Sequence, residues 1–534
     1  MRPIRNPSRR RLISGAAALA AAAPLNLWAA ATNPPGLSRL EIASQIAKSR
    51  VKKVLVGNTA FALSENLIDD TTSNSLNSRK ICYAPADSAI SDIVLGYVGF
   101  YLVNPEADFP VTITVKASIE YPLGTTPKQV FFNNGATSAT VTPGRTLVPS
   151  DPLAFHIPAG AAFAVKTFAT WTAGHFYLHT WSATKAIGEW TTRGTGVADN
   201  TLNNTTLVTS HTSVGFAPIV YATLRTACPV VAVIGDSIGT LTGDYLDSAV
   251  GHNGWGRAMR NKIPFTNLSR AGDSAGQYQI RPEGRNLVVR DAITHLIWEM
   301  GSNDLFGGAN LASAQASLSA GIDPFLSRGI KVYGATIVPR TTSTDNWTTV
   351  GNQTVVSSAV ETVRVAYNSW LRSNYASVGL SGFFDLARAI DPNDTGKWGV
   401  DSGFTGTFSC AALATLSGTA VASAAFFQYN VFSSNGVAVA GGAAVPCVVY
   451  PYPGTGGSGA VVTATPHASN PVFASLTVTS GGTGYTYPPM IASQGAWTND
   501  GVHPATRGWC EVIKACGVMT AGSVIAPETF SLWP

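Results

Sequence analysis

The sequence predicts an α/β protein whose parallel sheet lies between layers of helices. A β-sandwich or jelly-roll domain is expected before this sheet, and a β-rich insertion within it. Three observations lead to this prediction: a strand-like first half, an alternation of apolar strands with helices from residue 229, and a nearly uncharged stretch that interrupts it. A chain of 534 residues is too long to fold around one compact core, so two or three domains are expected. Apolar residues make up 45% and charged residues 12%, unlike a disordered chain.

The first 31 residues have the features of an export signal. They contain five arginines and no acidic residue, then an alanine-rich apolar run, with small residues at Ala29 and Ala31 where cleavage is expected. The stretch 8–13, SRRRLI, is similar to a twin-arginine signal. We therefore expect a periplasmic or secreted protein. A permanent anchor helix is the alternative, although the run is short and alanine-rich for a bilayer span.

Loss of this segment changes the charge balance. The remaining chain has 30 basic and 30 acidic residues, so it is formally neutral. A neutral chain offers no net positive charge to nucleic acid or to an anionic membrane. We therefore predict no nucleic-acid partner and no stable membrane insertion.

Cysteine usage fits an exported protein but does not determine a pairing. The six cysteines are Cys82, Cys228, Cys410, Cys447, Cys510 and Cys516. Cys410 with Cys447 is the best candidate disulfide, because the two bracket one β-rich stretch; several connectivities, and buried thiols, stay possible. The spacing matches no zinc pattern.

Residues 50–226 are predicted to form the N-terminal β-sandwich domain. Segments rich in β-branched and aromatic residues recur here, at 92–104, 111–121, 154–170 and 175–181. Turns rich in Gly, Pro, Asn and Asp separate them. Short strands spaced in this way are typical of sandwiches and jelly rolls.

From residue 229 the pattern changes to strands that alternate with helices. Continuous apolar runs at 230–235, 294–301 and 331–339 are expected of strands buried on both faces. The spacing predicts helices over 311–329 and 354–375, and a short strand is expected at 382–387. This alternation predicts a sheet covered by helices on both sides.

The stretch 403–495 is almost uncharged and is predicted to be a β-rich insertion. Its segment 472–489 predicts a strand, a glycine turn and a second short strand. A loop followed by a helix resumes at 499–517. The α/β domain is therefore predicted to comprise 227–402 and 496–534.

Four short motifs follow the predicted apolar segments or lie near the end of the chain. They are Gly235-Asp236-Ser237, the stretch 266–276 with Gly272 and Asp273, Gly301-Ser302-Asn303-Asp304, and Asp500-Gly501-Val502-His503. In open α/β sheets, binding sites form at the carboxyl ends of strands. We therefore expect these motifs to meet.

The order of these motifs resembles the SGNH hydrolase superfamily, also called GDSL-like esterases, over about 228–402 and 496–520. The resemblance implies a three-layer α/β/α flavodoxin-like domain and a serine ester hydrolase. Ile238 stands where the family name has leucine. The larger departure is the insertion of about ninety residues before the last motif, which affects the expected shape of the substrate groove.

The chemistry of these residue types fits acyl transfer. A serine hydroxyl needs a base, and His503 is the candidate base for Ser237, with Asp500 orienting its ring. The resemblance assigns the oxyanion donors to the backbone N–H groups of Ser237 and Gly272 and to the side-chain amide of Asn303. Each motif alone also fits a helix cap or a turn. Their common order favours the catalytic interpretation.

Two further sets of residues are candidates around this site. Asp236, Asp273 and Asp304 flank the motifs and are expected to support loops through hydrogen bonds to the backbone. Aromatic rings in loops near the strand ends are candidate sugar-binding groups, with packing as the alternative. These rings are Trp255, Trp347 and Trp398. No metal and no cofactor is predicted.

The expected substrate is an acylated carbohydrate or a small ester. O-deacetylation of a carbohydrate is the leading expectation, because a β-sandwich is similar to accessory domains of carbohydrate esterases, an analogy of fold alone. The polar stretch after residue 338 does not resemble a lipase lid. The alternatives are a broad-specificity small-ester esterase or lipase, and a non-catalytic glycan-binding surface protein. The insertion is expected beside the active site.

Overall fold

The computed structural model describes most residues from Lys53 onward, and these belong to one compact unit. The described residues are 53–58, 63, 66–70, 72–85, 88–178, 188–204, 215–240, 255, 259, 263–289, 291–401, 411–426, 444–451, 456–466 and 473–518. The expected export signal and Cys410 lie outside them. Across these ranges no helix combines the length and apolar character needed to cross a membrane.

Two antiparallel sheets dominate residues 54–224, which we call the N-terminal β unit. Its strands are β1 (Val54–Leu55), β2 (Gly57–Asn58), β3 (Asn66–Asp70), β4 (Ser75–Tyr83), β5 (Ile90–Val98), β6 (Phe100–Tyr101), β7 (Ala107–Asp108), β8 (Ile113–Glu120), β9 (Lys128–Val130), β10 (Ala139–Val141), β11 (Leu147–Pro149), β12 (Ala162–Trp171), β13 (Gly174–Leu178), β14 (Trp190–Gly194) and β15 (Ile219–Leu224). One sheet has the order β1-β15-β5-β11. The other has the order β10-β8-β12-β4-β14, with β2 and β9 added to it.

The two sheets enclose a shared apolar core. Ile93 and Leu95 of the first sheet and Val115 and Val165 of the second are almost fully buried in one cluster. The residues of β12 alternate between this core and the opposite face, as a period of two requires. Within the predicted strand 154–170, only the part from Ala162 onward is a strand, because the backbone turns at residues 158–160.

The second half of the chain forms the α/β part. Its elements before the insertion are β16 (Val231–Gly235), β17 (Phe265–Asn267), α1 (Ala275–Ile280), α2 (Glu283–Val289), β18 (His295–Glu299), α3 (Ser302–Phe306), α4 (Leu311–Leu326), β19 (Lys331–Ala335), β20 (Thr341–Ser343), β21 (Gln353–Val355), α5 (Ser358–Asn374), β22 (Gly382–Phe384) and α6 (Leu386–Ile390). The sheet order is β17-β16-β18-β19-β22, and every neighbouring pair is parallel.

The apolar runs form central strands because both faces of this sheet are covered. Alternate residues of β16 belong to two different clusters: Ala232 and Ile234 to one, Val231 and Val233 to the other. Helices α4 and α5 contribute to the first cluster and α6 to the second. A strand buried on both faces needs apolar residues at every position, which explains the absence of alternation.

The strand order places a crevice at the carboxyl edge of the sheet. The chain runs from β16 to β17 on one side and then crosses to β18 on the other. The loops after β16 and β18 therefore leave the sheet in opposite directions, which is where ligands bind in open α/β sheets. Ser237 follows the first of these strands, and Asn303 follows the second.

The predicted helix over 354–375 starts later than expected. Residues 353–355 pair with 341–343 as an antiparallel ribbon, so the helix begins at Ser358. The β-branched pair at 354–355 favours a strand. The side chain of Ser357 accepts a hydrogen bond from the backbone of Val360 and caps the helix.

The insertion forms a six-stranded antiparallel sheet. Its strands are β23 (Ala411–Ser417), β24 (Ala420–Phe426), β25 (Val445–Tyr450), β26 (Ser458–Pro466), β27 (Phe473–Thr483) and β28 (Met490–Ser493), in the order β24-β23-β28-β25-β26-β27. The prediction of a glycine turn within 472–489 is wrong. Strand β27 continues through Gly481 and Gly482. A side chain at position 482 would prevent this pairing, because the added Cβ would lie 2.2 Å from the carbonyl oxygen of Ser458.

The chain leaves and re-enters the α/β part at adjacent points. Val400 and Ala496 form a β-bridge, and Arg507 pairs with Asp401. The last helix, α7 (Thr506–Val518), packs its buried face against Met490 and Ala492 of the insertion. The insertion therefore contacts the helix that directly follows the His503 loop.

Candidate active site

Three side chains form a continuous hydrogen-bonded chain at the carboxyl edge of the sheet. The Nε2 atom of His503 lies 2.7 Å from the Oγ atom of Ser237. The Nδ1 atom of the same ring lies 2.6 Å from an Oδ2 carboxylate oxygen of Asp500. The three predicted residues are thus in contact, in the order nucleophile, base and carboxylate.

The partners of His503 determine its tautomer. An ionised carboxylate can only accept hydrogen bonds, so Nδ1 carries the proton that it donates to Asp500. Nε2 of the neutral ring then accepts the hydroxyl proton of Ser237. Burial raises the pKa of Asp500, but the hydrogen bonds that its carboxylate accepts from His503 and Val502 help to hold that pKa below its ordinary value. Asp500 therefore stays ionised and fixes the ring in the tautomer that a general base needs.

The loop that carries His503 is organised by Asp500 itself. Its Oδ1 atom accepts the backbone N–H groups of Val502 at 2.8 Å and His503 at 2.9 Å. This short-range pattern is typical of aspartate in turns. Gly501 has a φ of 75°, and a Cβ at that position would lie 2.0 Å from the carbonyl oxygen of Thr341. The sequence Asp-Gly therefore suits both the turn and the close approach to β20.

The three candidate substrate-binding tryptophans are buried: two of them support this loop, and the third packs in the core beside it. Trp398 is fully buried and donates its indole N–H to the carbonyl of Gly501 at 3.0 Å. Trp347 is 9% exposed and donates to the hydroxyl of Thr341 at 2.8 Å. Trp255 is 1% exposed and packs edge-on against Phe384. The expectation that these rings bind a sugar is wrong, because buried rings present no face to a ligand.

Ser237 lies in a tight turn at the end of β16. Asp236 accepts the backbone N–H of Ile238 at 2.8 Å, and Asn267 donates to the carbonyl of Gly239 at 2.8 Å. Asp236 is 1% exposed, and Ile238 is buried in the apolar cluster below the turn. Isoleucine at 238 thus serves as a core residue.

Two further predicted oxyanion donors lie on the neighbouring loops. The backbone of Gly272, with a φ of 76°, follows β17, and Asn303 lies in α3 after β18. The side-chain nitrogen of Asn303 donates to the carbonyl oxygen of Asp273 at 2.7 Å. The two loops therefore touch. Their strands flank β16, so the turn of Ser237 lies at the strand end between them.

The three flanking aspartates support the loops through the predicted type of contact. Asp304 accepts the N–H groups of Ala275 at 2.8 Å and Gly276 at 3.0 Å, so it caps the start of α1. Asp273 accepts the N–H of Ser274 and pairs with Arg285 at 2.7 Å. Asp304 and Asp273 each join two segments, whereas Asp236 bonds within the turn of Ser237.

Arg340 orients the amide of Asn303 and was not predicted. Its Nη2 atom donates to the Oδ1 atom of Asn303 at 2.7 Å and to the hydroxyl of Ser302 at 3.1 Å. Burial lowers the pKa of Arg340, and the charges of Asp236 and Asp500 act against that change. The guanidinium therefore fixes the amide oxygen and leaves the nitrogen turned toward the loop of Gly272. The position of Arg340 shortly after strand β19, near the carboxyl edge of the sheet, was the sequence feature that could have identified it.

A second unpredicted group is a buried acid behind the nucleophile turn. Glu299 ends β18, beside Gly235, and is 5% exposed. Burial raises the pKa of Glu299 well above its ordinary value, and the charge of Asp236 raises it further. Burial also raises the pKa of Asp236, to about 6. Glu299 thus remains protonated under conditions that ionise an exposed glutamate. A single acidic residue in an otherwise apolar strand was the sequence feature that could have identified Glu299.

Comparisons with known proteins give matches among solved structures. No protein-family model and no curated protein matches the chain. A catalytic mutant of Axe2, an acetylxylan esterase from Geobacillus stearothermophilus, is 12% identical over 31% of this chain and 80% of its own, with a TM-score of 0.25. TesA is 18% identical over 30% of this chain and 81% of its own, with a TM-score of 0.22. A protein from Desulfitobacterium hafniense, assigned to the lipolytic G-D-S-L family, is 17% identical over 30% of this chain and 80% of its own, with a TM-score of 0.23.

Proposed function

We propose that the protein is a serine carboxylic-ester hydrolase. The observation that carries this proposal is the hydrogen-bonded chain from Ser237 through His503 to Asp500. A hydroxyl, an imidazole in the required tautomer and an ionised carboxylate are the parts that acyl transfer from an ester needs. The chemistry uses only side chains and backbone N–H groups of this chain, with no cofactor in the proposed steps.

The reaction follows from this geometry in two stages. Oγ of Ser237 attacks the ester carbonyl carbon while its proton moves to Nε2 of His503. The oxyanion that forms is stabilised by the N–H groups of Ser237 and Gly272 and the amide of Asn303. Collapse of this intermediate breaks the bond to the alkoxy group, which takes the proton from His503 and leaves as the alcohol. Water then attacks the acyl-enzyme by the same route and releases the carboxylic acid.

The test is hydrolysis of p-nitrophenyl acetate by the wild type and by Ser237→Ala. We expect the variant to lose about 10⁴-fold to 10⁶-fold in kcat, as when a serine nucleophile is removed elsewhere. Ser269→Ala is a matched control, because this buried serine lies behind the same turn, beside Gly235 and Gly239, while the bond to Nε2 of His503 is made by Ser237. Equal rates for the wild type and Ser237→Ala would reject the esterase and leave a non-catalytic glycan-binding protein as the alternative.

For the substrate we propose an O-acetylated carbohydrate, with a broad range of small esters as the alternative. Support comes from the two β-rich parts that adjoin the α/β part, and the buried tryptophans give none. Acetate release from acetylated xylan, acetylated pectin and a bacterial exopolysaccharide tests this proposal. Turnover of simple esters without release from any glycan would favour the small-ester alternative, and a preference for long acyl chains would favour a lipase.

We propose export to the periplasm or beyond the cell. The support is the arginine-rich, alanine-rich start of the chain, with Ala29 and Ala31 before the expected cleavage. The N-terminal sequence of the protein recovered from a producing cell should then begin at residue 32. A chain that retains residues 1–31 would contradict cleavage and favour an anchor.

A further inference from the structure

A segment of the N-terminal β unit, Leu102–Glu106, touches the loop that carries the Gly272 donor. We call that loop, residues 270–273, the oxyanion loop. The two segments are about 170 positions apart in sequence but are joined at several points within the compact unit. One of these contacts reaches the backbone of the loop directly, and another is made by the side chain of Arg270.

The first set of contacts fixes the two peptide groups around Gly272. The side-chain amide of Asn104 donates to the carbonyl oxygen of Gly272 at 2.7 Å. Arg270 donates to the carbonyl oxygen of Ala271, which belongs to the same peptide group as the N–H of Gly272. The guanidinium of Arg270 also reaches the carbonyl oxygen of Leu102, at 3.4 Å. The peptide that carries the donor is thus held by Arg270, which itself contacts the β unit, and the next peptide is held by Asn104 directly.

The second set of contacts is a buried ion network beneath the same loop. Glu106 and Arg285 are each 1% exposed, and the Nε of Arg285 donates to Glu106 at 2.8 Å. Arg285 also pairs with Asp273, the last residue of the oxyanion loop, at 2.7 Å. Gly284 permits this approach, because a Cβ there would lie 2.5 Å from a carboxylate oxygen of Glu106. A carboxyl group from the β unit therefore completes the network that holds Asp273.

We propose that the Leu102–Glu106 segment positions the oxyanion loop, with Asn104 as a positioning residue for the Gly272 N–H. This inference rests on the proposed esterase function. Asn104 acts through the loop and does not touch the reacting atoms in the proposed mechanism. An oxyanion donor is effective only if its N–H is held at the position where the charge develops. The β unit then contributes a positioning contact to the active site.

The test compares Asn104→Asp and Asn104→Ala with the wild type. Aspartate keeps the size of the side chain but lacks the donor, and alanine removes the group. The matched controls are Asn204→Asp and Asn204→Ala, because Asn204 is an exposed asparagine of the same β unit that donates to the carbonyl of Gly124. Four quantities are measured: kcat and KM for p-nitrophenyl acetate, the Ki of ethylboronic acid, which forms a tetrahedral adduct with a catalytic serine, and the melting temperature.

We expect both Asn104 variants to lose about 10-fold in kcat, with KM changed less than about 2-fold. The Ki of the boronic acid should rise by a factor similar to the loss in kcat, because the tetrahedral adduct needs the same donor. The Asn204 variants should match the wild type. Unchanged kcat in the Asn104 variants, or a loss of activity that follows the melting temperature with an unchanged boronate Ki, would overturn the inference.

The two proposals fail in different ways. An inactive Ser237→Ala together with fully active Asn104 variants would overturn the positioning role alone. Equal activity of the wild type and Ser237→Ala would overturn the esterase function, and the role of Asn104 with it.

Discussion

Nε2 of His503 lies 2.7 Å from Oγ of Ser237, although 266 positions separate the two residues. Ser237 is placed by the end of β16, and His503 by a loop that Asp500 organises and that Thr341 and Trp398 anchor. No local segment contains both groups, so their contact is a product of the tertiary fold. Whatever moves the His503 loop should therefore affect catalysis more than it affects the α/β core.

Asp500→Asn tests the role of the carboxylate in setting the tautomer of His503. An amide can donate to Nδ1, which then places the ring proton on Nε2, facing Ser237. We expect kcat for p-nitrophenyl acetate to fall about 10⁴-fold, as in other triads with this change. Asp401→Asn, at the root of the insertion, is the control outside the triad. Activity within a few-fold of the wild type would show that Asp500 is dispensable.

Arg340→Gln tests the orientation of the Asn303 amide. Loss of the 2.7 Å contact lets the amide rotate, and we expect about a 10-fold fall in kcat. Asn303→Ala removes the donor itself and should cost about 10²-fold to 10³-fold. If Arg340 acts through Asn303, the double variant should be no slower than Asn303→Ala alone. Additive losses would indicate that Arg340 acts on the substrate directly.

Gly501→Ala tests the close approach of the His503 loop to β20. The added Cβ would lie 2.0 Å from the carbonyl oxygen of Thr341, so the loop must shift away from β20 and disturb the contact between His503 and Ser237. We expect about a 10²-fold fall in kcat. Gly308→Ala is the matched control, with a φ of 99° and no described atom within 4 Å of its Cβ. Similar kinetics in the two variants would attribute the effect to backbone strain alone.

Glu299→Gln tests the buried acid pair through the pH dependence of stability. The pKa values of Glu299 and Asp236 are higher in the folded protein than in the unfolded chain. The stability that the two protonated acids contribute is therefore fully present below their pKa values in the unfolded chain. It is lost as the pH rises through their pKa values in the folded protein. The melting temperature of the wild type should therefore begin to fall as pH rises above about 4, pass through the Asp236 transition at about pH 6 and fall further as Glu299 ionises. Glutamine at 299 cannot ionise and relieves Asp236 of a neighbouring acid. The variant should show a smaller fall, and an equal fall would contradict the assignment.

The central triad could be predicted from the sequence because each motif is local and the motifs occur in one characteristic order. Gly-Asp-Ser and Gly-Ser-Asn-Asp each directly follow an apolar strand, and Asp500 and His503 share one turn. The parallel sheet also follows from continuous apolar runs, since only strands covered on both faces need them.

The supporting residues could not be predicted because their roles depend on packing between distant segments. Trp398 in a loop gives no sign of whether its ring faces solvent or is covered by other parts of the chain. In the sequence, Asn104 and Glu106 resemble ordinary turn residues. Their contacts form only when the β unit packs against the α/β part. The amide of Asn303 has an orientation that only the placement of Arg340 decides.

Covalent labelling with diethyl p-nitrophenyl phosphate tests the central claim most directly. This reagent phosphorylates an activated serine and releases p-nitrophenolate, and peptide mass spectrometry locates the adduct. The account predicts one diethylphosphoryl group, on Ser237, with esterase activity lost in proportion to labelling, and no adduct in His503→Ala under the same conditions. An adduct on another residue, or full activity after saturating treatment with no adduct on Ser237, would contradict it.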